Sequence, residues 1–435
     1  MKLTYSSLQL IPFFLFNKDK DPLSNKSKKN NSKILEILFH DILQANHFLK
    51  NIKKKMTIEI FDITIKNIIN IYHIPKPKNF NFHSFPSSIR KHIHENSLTE
   101  ICYSFSLFER EIKLYFIVEE SSSDIKLNHY HKFVDSIILW LFILDKYSSK
   151  TCSKYFTVYF YFTSLTKNLP YSNIDVLQEE HVNTAFTSTC TNQSEIVIYR
   201  KEEWLKVFIH ETFHNFGLDF SDMNSSKGNK LVLDLFPVDS KVNLYESYTE
   251  FWAELINACF CSYYMLKEKE NFSLFQDYFH YFIDLERKFS CFQMVKVLDF
   301  MGLNYQHLFS KDRESDMLRK NLYREKTNVL SYYVIKTILL YNYPFFLHWC
   351  HHNNDTLLQF EKTETNLVNF CKFIRQYHQS KSMISTIKEM EKYLNIFKKD
   401  LNNNNNNNNN NSKNIKKKDK KYILENLRMS ICELG

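Results

Sequence analysis

The stretch 201–217, KEEWLKVFIHETFHNFG, constrains this chain more than any other. Trp204, Leu205, Phe208, Ile209, Phe213 and Phe216 recur at helical spacing. Gly217 is a natural stop, because glycine tolerates the left-handed backbone that ends a helix. A helix with so much apolar surface belongs in an interior, yet it also carries His210, Glu211 and His214. Ionisable groups in a buried helix are costly unless something meets them. The fold must therefore wrap around this helix and bring partners to it.

The surrounding pattern says what wraps it. Residues 101–108 and 112–118 are aromatic and β-branched and read as a hairpin. Residues 130–147 read as a helix. Residues 155–163 (YFTVYFYFT), 182–187 and 196–199 read as strands, the last running directly into the His-bearing helix. From about 245 to 398 nearly everything has helical periodicity. The expectation is an α+β chain, with a mixed sheet over the 201–216 helix and a mainly helical C-terminal part. Its divisions are a poorly ordered N-terminus (1–30), a helical segment (31–95), a core (96–300), a helical subdomain (301–398), an Asn/Lys-rich disordered linker (399–421) and a short C-terminal segment (422–435). The 31–95 segment is expected to be helical through Ile58, Ile60, Ile63, Ile65 and Ile68.

The run His-Glu-Thr-Phe-His at 210–214 carries metal chemistry. Two histidines four apart on a helix share a face and can aim at one ion. Glu211, directly after the first, lies beside that ion. There it can take a proton from a zinc-bound water and pass it to a leaving amine. Two histidines and a carboxylate make Zn2+ the expected metal.

The third ligand is less determined. A ligand three residues after Gly217 would have to be Phe220, and Asp219 and Asp222 are out of that register. Residues 245–255, YESYTEFWAEL, offer Glu246, Glu250 and Glu254 on one helical face. Glu250 is the leading candidate, Glu246 the alternative. Glu254, one turn on, could hydrogen-bond a ligating histidine and fix its tautomer.

HETFH followed 36 residues on by Glu-Phe-Trp-Ala-Glu resembles the gluzincin arrangement of zinc metallopeptidases, most of all that of the anthrax lethal factor catalytic domain. The region also resembles uncharacterised HExxH proteins encoded by giant DNA viruses. The resemblance covers roughly 182–260. It implies a zincin-like core and peptide-bond hydrolysis by an endopeptidase. It implies His210, His214 and Glu250 as ligands, Glu211 as base and Glu254 behind them. It also implies an oxyanion-stabilising tyrosine seven residues before the ligand glutamate. Asn243 stands there, which leaves the neighbouring Tyr245 and Tyr248 as candidates. Tyr332 and Tyr333, in an apolar helical stretch, read as core aromatics, with reach to the site as the alternative. His348, Cys350, His351 and His352 read as a helix end, since adjacent histidines do not converge on one ion.

Composition narrows the partners. The net charge of +9 is concentrated in basic runs near 18–33 and 413–421, the second following an unbroken run of Asn at 402–411. Such runs are usually solvated tails, so weak nonspecific anion binding is the most they imply. No nucleic-acid motif accompanies them. The apolar run 8–16 is too short to span a bilayer and lacks a signal-peptide cleavage site. Nine cysteines without paired spacing suggest free thiols and an intracellular, reducing compartment, host cytoplasm or virion if the chain is viral. The expected partner is a peptide or protein substrate. The competing expectation is a catalytically silent zincin-type structural or binding protein.

Overall fold

The computed structural model of the chain describes residues 5–15, 25–55, 61–82, 84–403 and 417–433. Its frame is one six-stranded sheet in the order β1-β2-β3-β4-β6-β5. The strands are β1 (Asp62–Asn67), β2 (Thr99–Leu107), β3 (Arg110–Val118), β4 (Tyr155–Phe162), β5 (Ala185–Thr187) and β6 (Gln193–Ile198). β1 to β3 form an antiparallel meander, and β4 and β6 run parallel to β3. β5 turns back antiparallel along β6 and ends the sheet. The mixed sheet and the helices after it make the chain α+β, as its pattern indicates.

The helices are α1 (Tyr5–Leu15), α2 (Asn25–Lys55), α3 (Ser87–Asn96), α4 (Leu127–Tyr147), α5 (Glu179–Val182), α6 (Trp204–Asn215), α7 (Ser226–Leu233), α8 (Leu244–Met265) and α9 (Phe272–Phe300). They continue with α10 (Arg313–Leu322), a π-helical turn at Leu330–Ile335, α11 (Lys336–Tyr341), α12 (Tyr343–Asn353), α13 (Glu364–Tyr377), α14 (Lys381–Asn403) and α15 (Lys417–Glu425).

Strand alternation sorts the side chains onto two faces. Phe156, Val158, Phe160 and Phe162 of β4 enter the main core, where α4 and α6 lie against the sheet. Tyr159 and Tyr161 face a smaller core that Phe80, Phe85 and Ile89 and Ile93 of α3 close. Phe208, Ile209 and Phe213 of α6 are fully buried. Each such side chain contributes roughly 1.5–3 kcal/mol. From α4, Trp140 Nε1 donates to Thr212 Oγ1 at 2.7 Å and fixes the rotation of α6 about its axis. Gly217 ends the helix with φ at +68°.

Four expectations are corrected. Part of 31–95 is strand β1, whose Ile63 and Ile65 alternate rather than wind; Ile58 and Ile60 lie outside the described residues. Of 182–187, only 185–187 is strand, because Glu179–Val182 closes a helical turn first. The N-terminal patch is a helix, α1, with Leu10 and Phe14 buried. Cys152 and Cys190, 38 residues apart, form a disulfide, and the other seven cysteines are buried and form no disulfide. The loops before β4 and β6 meet only because those strands are neighbours, which spacing does not reveal. The cysteine argument for a reducing compartment falls with it. Among the described residues, no helix is long and apolar enough to cross a membrane.

Candidate metal centre

α6 turns its aromatic side to the sheet, with Phe208 and Phe216 against Phe156. Its opposite side carries the histidines, and α8 crosses over them. His210 Nε2 and His214 Nε2 stand 3.1 Å apart. Glu246 Oε2 lies 3.1 Å from the first and 3.3 Å from the second. Three donor atoms thus surround one point. Tetrahedral coordination with bonds of about 2.0–2.1 Å puts neighbouring ligand atoms about 3.3 Å apart. The three observed edges match that spacing, so His210, His214 and Glu246 form a group that could hold a metal ion. The three side chains resemble a zincin-like metal site, and a His-His-carboxylate donor set suits zinc.

Each donor is backed from behind. His214 Nδ1 meets Asp219 Oδ2 at 2.5 Å, and Asp219 in turn accepts from Ser221 Oγ at 2.9 Å. His210 Nδ1 lies 2.7 Å from Glu250 Oε2, without the alignment of a hydrogen bond. Tyr332 Oη donates to Glu246 Oε2 at 3.0 Å, and Asn328 Nδ2 to Oε1 at 3.1 Å. Partners of this kind orient metal-ligating side chains and tune their basicity. Tyr332 sits in the π-helical turn, an irregularity that often marks functional sites.

The third position belongs to Glu246 rather than Glu250, and the helix directions explain it. α8 runs antiparallel to α6, so each turn forward on α8 reaches one turn back on α6. Glu246 meets His210 and His214, and Glu250 meets His210 and, at 2.5 Å, Lys206 Nζ. Glu254 is about 12 Å along the axis from Glu246. It pairs with Lys336 at 2.6 Å instead of with a histidine. Tyr248 is turned about 200° from Glu246. Its hydroxyl donates to the Leu358 carbonyl at 2.8 Å among Phe220, Phe346 and Phe360, away from the triad. Tyr245 stays near, its ring edge-on to His214 at 5.7 Å. Tyr332, rather than Tyr245 or Tyr248, hydrogen-bonds the Glu246 carboxylate.

Charges at the site are strongly coupled. Burial alone would depress His210, but Glu246 and Glu250 outweigh it and hold the ring at about 8. Burial likewise opposes protonation of His214, and Asp219 and Glu246 raise it well above the usual value. Glu246 is held low despite burial because it faces both rings. Glu211 is pushed up to about 7 by burial, against the pull of His210 and His214. A carboxyl that titrates near neutrality is suited to taking and returning a proton.

Glu211 lines a small cavity of about 30 Å3 with His210, Tyr332, Met429 and residues 182–185, which lead into β5. That is room for about one water molecule. Two contributors escaped sequence reasoning. The motif spacing marks Asp219 only as a ligand candidate, though a carboxylate five residues after His214 also signals backing. Lys206, a lone cation in an apolar helix, signals a buried carboxylate nearby. The chain matches no known protein family, no curated protein and no solved structure.

Proposed function

We propose that this chain is a zinc-dependent peptide hydrolase of the gluzincin type, with His210, His214 and Glu246 holding the metal. The observation that carries the reading is the mutual spacing of those three donor atoms, 3.1–3.3 Å, beside a buried Glu211. A zinc ion there would supply Lewis acidity and make water a better acid near neutral pH. Glu211 takes the proton from the attacking water and delivers it to the departing amine. Asp219 and Glu250 hold the two rings in register. Tyr332, whose hydroxyl lies at the triad, is the group to donate to the oxygen that gains negative charge. β5 ends the sheet, so its outer backbone groups are not used by another strand of that sheet. An extended peptide can add there through main-chain hydrogen bonds.

The small cavity favours the second reading, a catalytically silent module in which the metal only braces the fold. One set of measurements separates the two. Elemental analysis should give one zinc per wild-type chain and none for Glu246→Ala. Glu211→Gln should keep its zinc and lose turnover on a peptide library by about 10²–10⁴-fold. Full zinc with no cleavage by the wild type, even with the cavity opened, would leave the silent module standing.

A further inference from the structure

The C-terminal residues 426–433 run through the interior rather than over it. Leu427, Met429, Ile431 and Cys432 are buried, and so are Arg428 and Ser430. Apart from a bridge to Asn168 and the amide of Leu427 on the Lys167 carbonyl, no strand ladder holds this segment. Its backbone is met by side chains instead. Glu203 accepts the amides of Met429, at 2.8 Å, and Ser430, at 2.5 Å. Glu286 accepts those of Ile431, at 3.0 Å, and Cys432, at 2.9 Å. Carbonyls of the segment accept from Lys296, Gln293, Tyr333 and Asn257.

This is how a protein binds a peptide, through main-chain groups and with little regard to sequence. Buried carboxylates that each accept two successive amides make strong, charge-assisted contacts. The walls bear on what happens without the segment. Where it meets the backbone the wall is polar, with Lys167, Glu203, Glu286 and Lys296 as groups that water can satisfy when the segment leaves, and where it meets Leu427, Met429, Ile431 and Cys432 it is apolar. Location supplies the function. Met429 borders the same cavity as His210, Glu211 and residues 182–185. Met429 therefore occupies part of the wall that a peptide added at β5 would share.

We propose that residues 426–433 are an intramolecular peptide ligand that shuts the cleft, and that the groove they fill accepts an extended peptide in their place. The part concerning the cleft rests on the reading of the site as a peptide hydrolase; the peptide-binding groove does not. The segment is a tethered plug, joined to α14 through the Asn run and the lysine-rich residues after it.

The test keeps the whole chain. A recognition sequence for a site-specific protease is placed within 402–411, and the folded protein is cut there. A fluorescent peptide carrying the sequence of residues 422–435 is then added. The expected result is exchange of labelled for resident peptide with the helical circular dichroism retained. Protein washed free of the segment should also release zinc to a chelator at least about tenfold faster. Glu286→Gln keeps an acceptor but removes its charge, and should speed exchange by about tenfold. Loss of the segment only together with the circular dichroism overturns the proposal and makes the segment a core element. Exchange with an unchanged rate of zinc release overturns its role at the cleft. Exchange with faster zinc release but no cleavage of any library peptide supports the plug and sinks the hydrolase reading. If the chain holds no zinc, the hydrolase reading fails, and peptide exchange alone decides the groove.

Discussion

Helix α6 has buried ionisable groups at both ends, and the two ends are balanced in different ways. At the start, Glu203 pairs with Lys167, and Lys206 pairs with Glu250 at 2.5 Å, with two peptide amides completing Glu203. Each charge there finds an opposite charge within the chain. At the end, His210 and His214 aim Nε2 atoms at each other and at Glu246, and the charged partners stand behind, at the Nδ1 atoms. Three lone-pair donors converge on one point that only protons or a cation can fill. The first arrangement is an ionic core, and the second is built to receive something. Glu250 links them, since it touches both Lys206 and His210.

The largest effect separates the two ends outright. Removing one partner of a buried ion pair strands the other and costs about 3–5 kcal/mol. Glu203→Ala should therefore lower stability to urea by that amount while zinc stoichiometry stays at the wild-type value. Zinc lost in step with Glu203 would mean that the two ends act as one site, and the comparison would break.

Much of this was legible in the sequence, for physical reasons that differ by element. The helix around HETFH, the hairpin before it and the strand 155–163 each satisfy one periodicity strongly over enough residues to be read alone. β1 is six residues long, and its two isoleucines are too few to set a period. The choice of Glu246 over Glu250 was not legible, because residues four apart share a face. Only the direction in which α8 crosses α6 decides between them. Tyr332 and Asp219 join the site through contacts that sequence periodicity does not encode. The path of residues 426–433 could not be read either, because their partners, Glu203 and Glu286, lie more than a hundred residues away.

Glu250 sharpens the comparison with a smaller effect. It contacts the His210 ring from outside the three-donor group, and partners of this kind typically change metal affinity 10–100-fold. Glu250→Gln should weaken zinc binding by about that factor in a competition titration and leave one zinc per chain at saturation. An unchanged affinity would show that the contact at His210 Nδ1 is incidental. Complete loss would return Glu250 to the ligand role that the motif spacing suggested.

The smallest effect is a slope in pH, and it has opposite signs for folding and for metal. In the metal-free chain, His210 is held at about 8, above the roughly 6.5 of a free histidine. The folded state therefore binds more protons than the unfolded state between those values. The stabilisation is complete below about 6.5 and is lost as pH rises through about 8. Metal binding runs the other way, because the ring must lose its proton before Nε2 can accept a cation. Affinity should rise with pH through about 8, by up to tenfold per unit for each proton released, and His214, also raised, adds to the slope. At the start of α6 the shifts differ in sign, and burial lowers Lys167. Lys206 is raised there because Glu250 and Glu203 outweigh burial, and Glu203 is lowered because Lys167 and Lys206 do. Urea melts of metal-free protein and zinc competition titrations between pH 6 and 9 should thus slope in opposite directions. Slopes of the same sign would mean that the protons on the triad are not those a metal displaces, and that the end of α6 is an ionic core like its start.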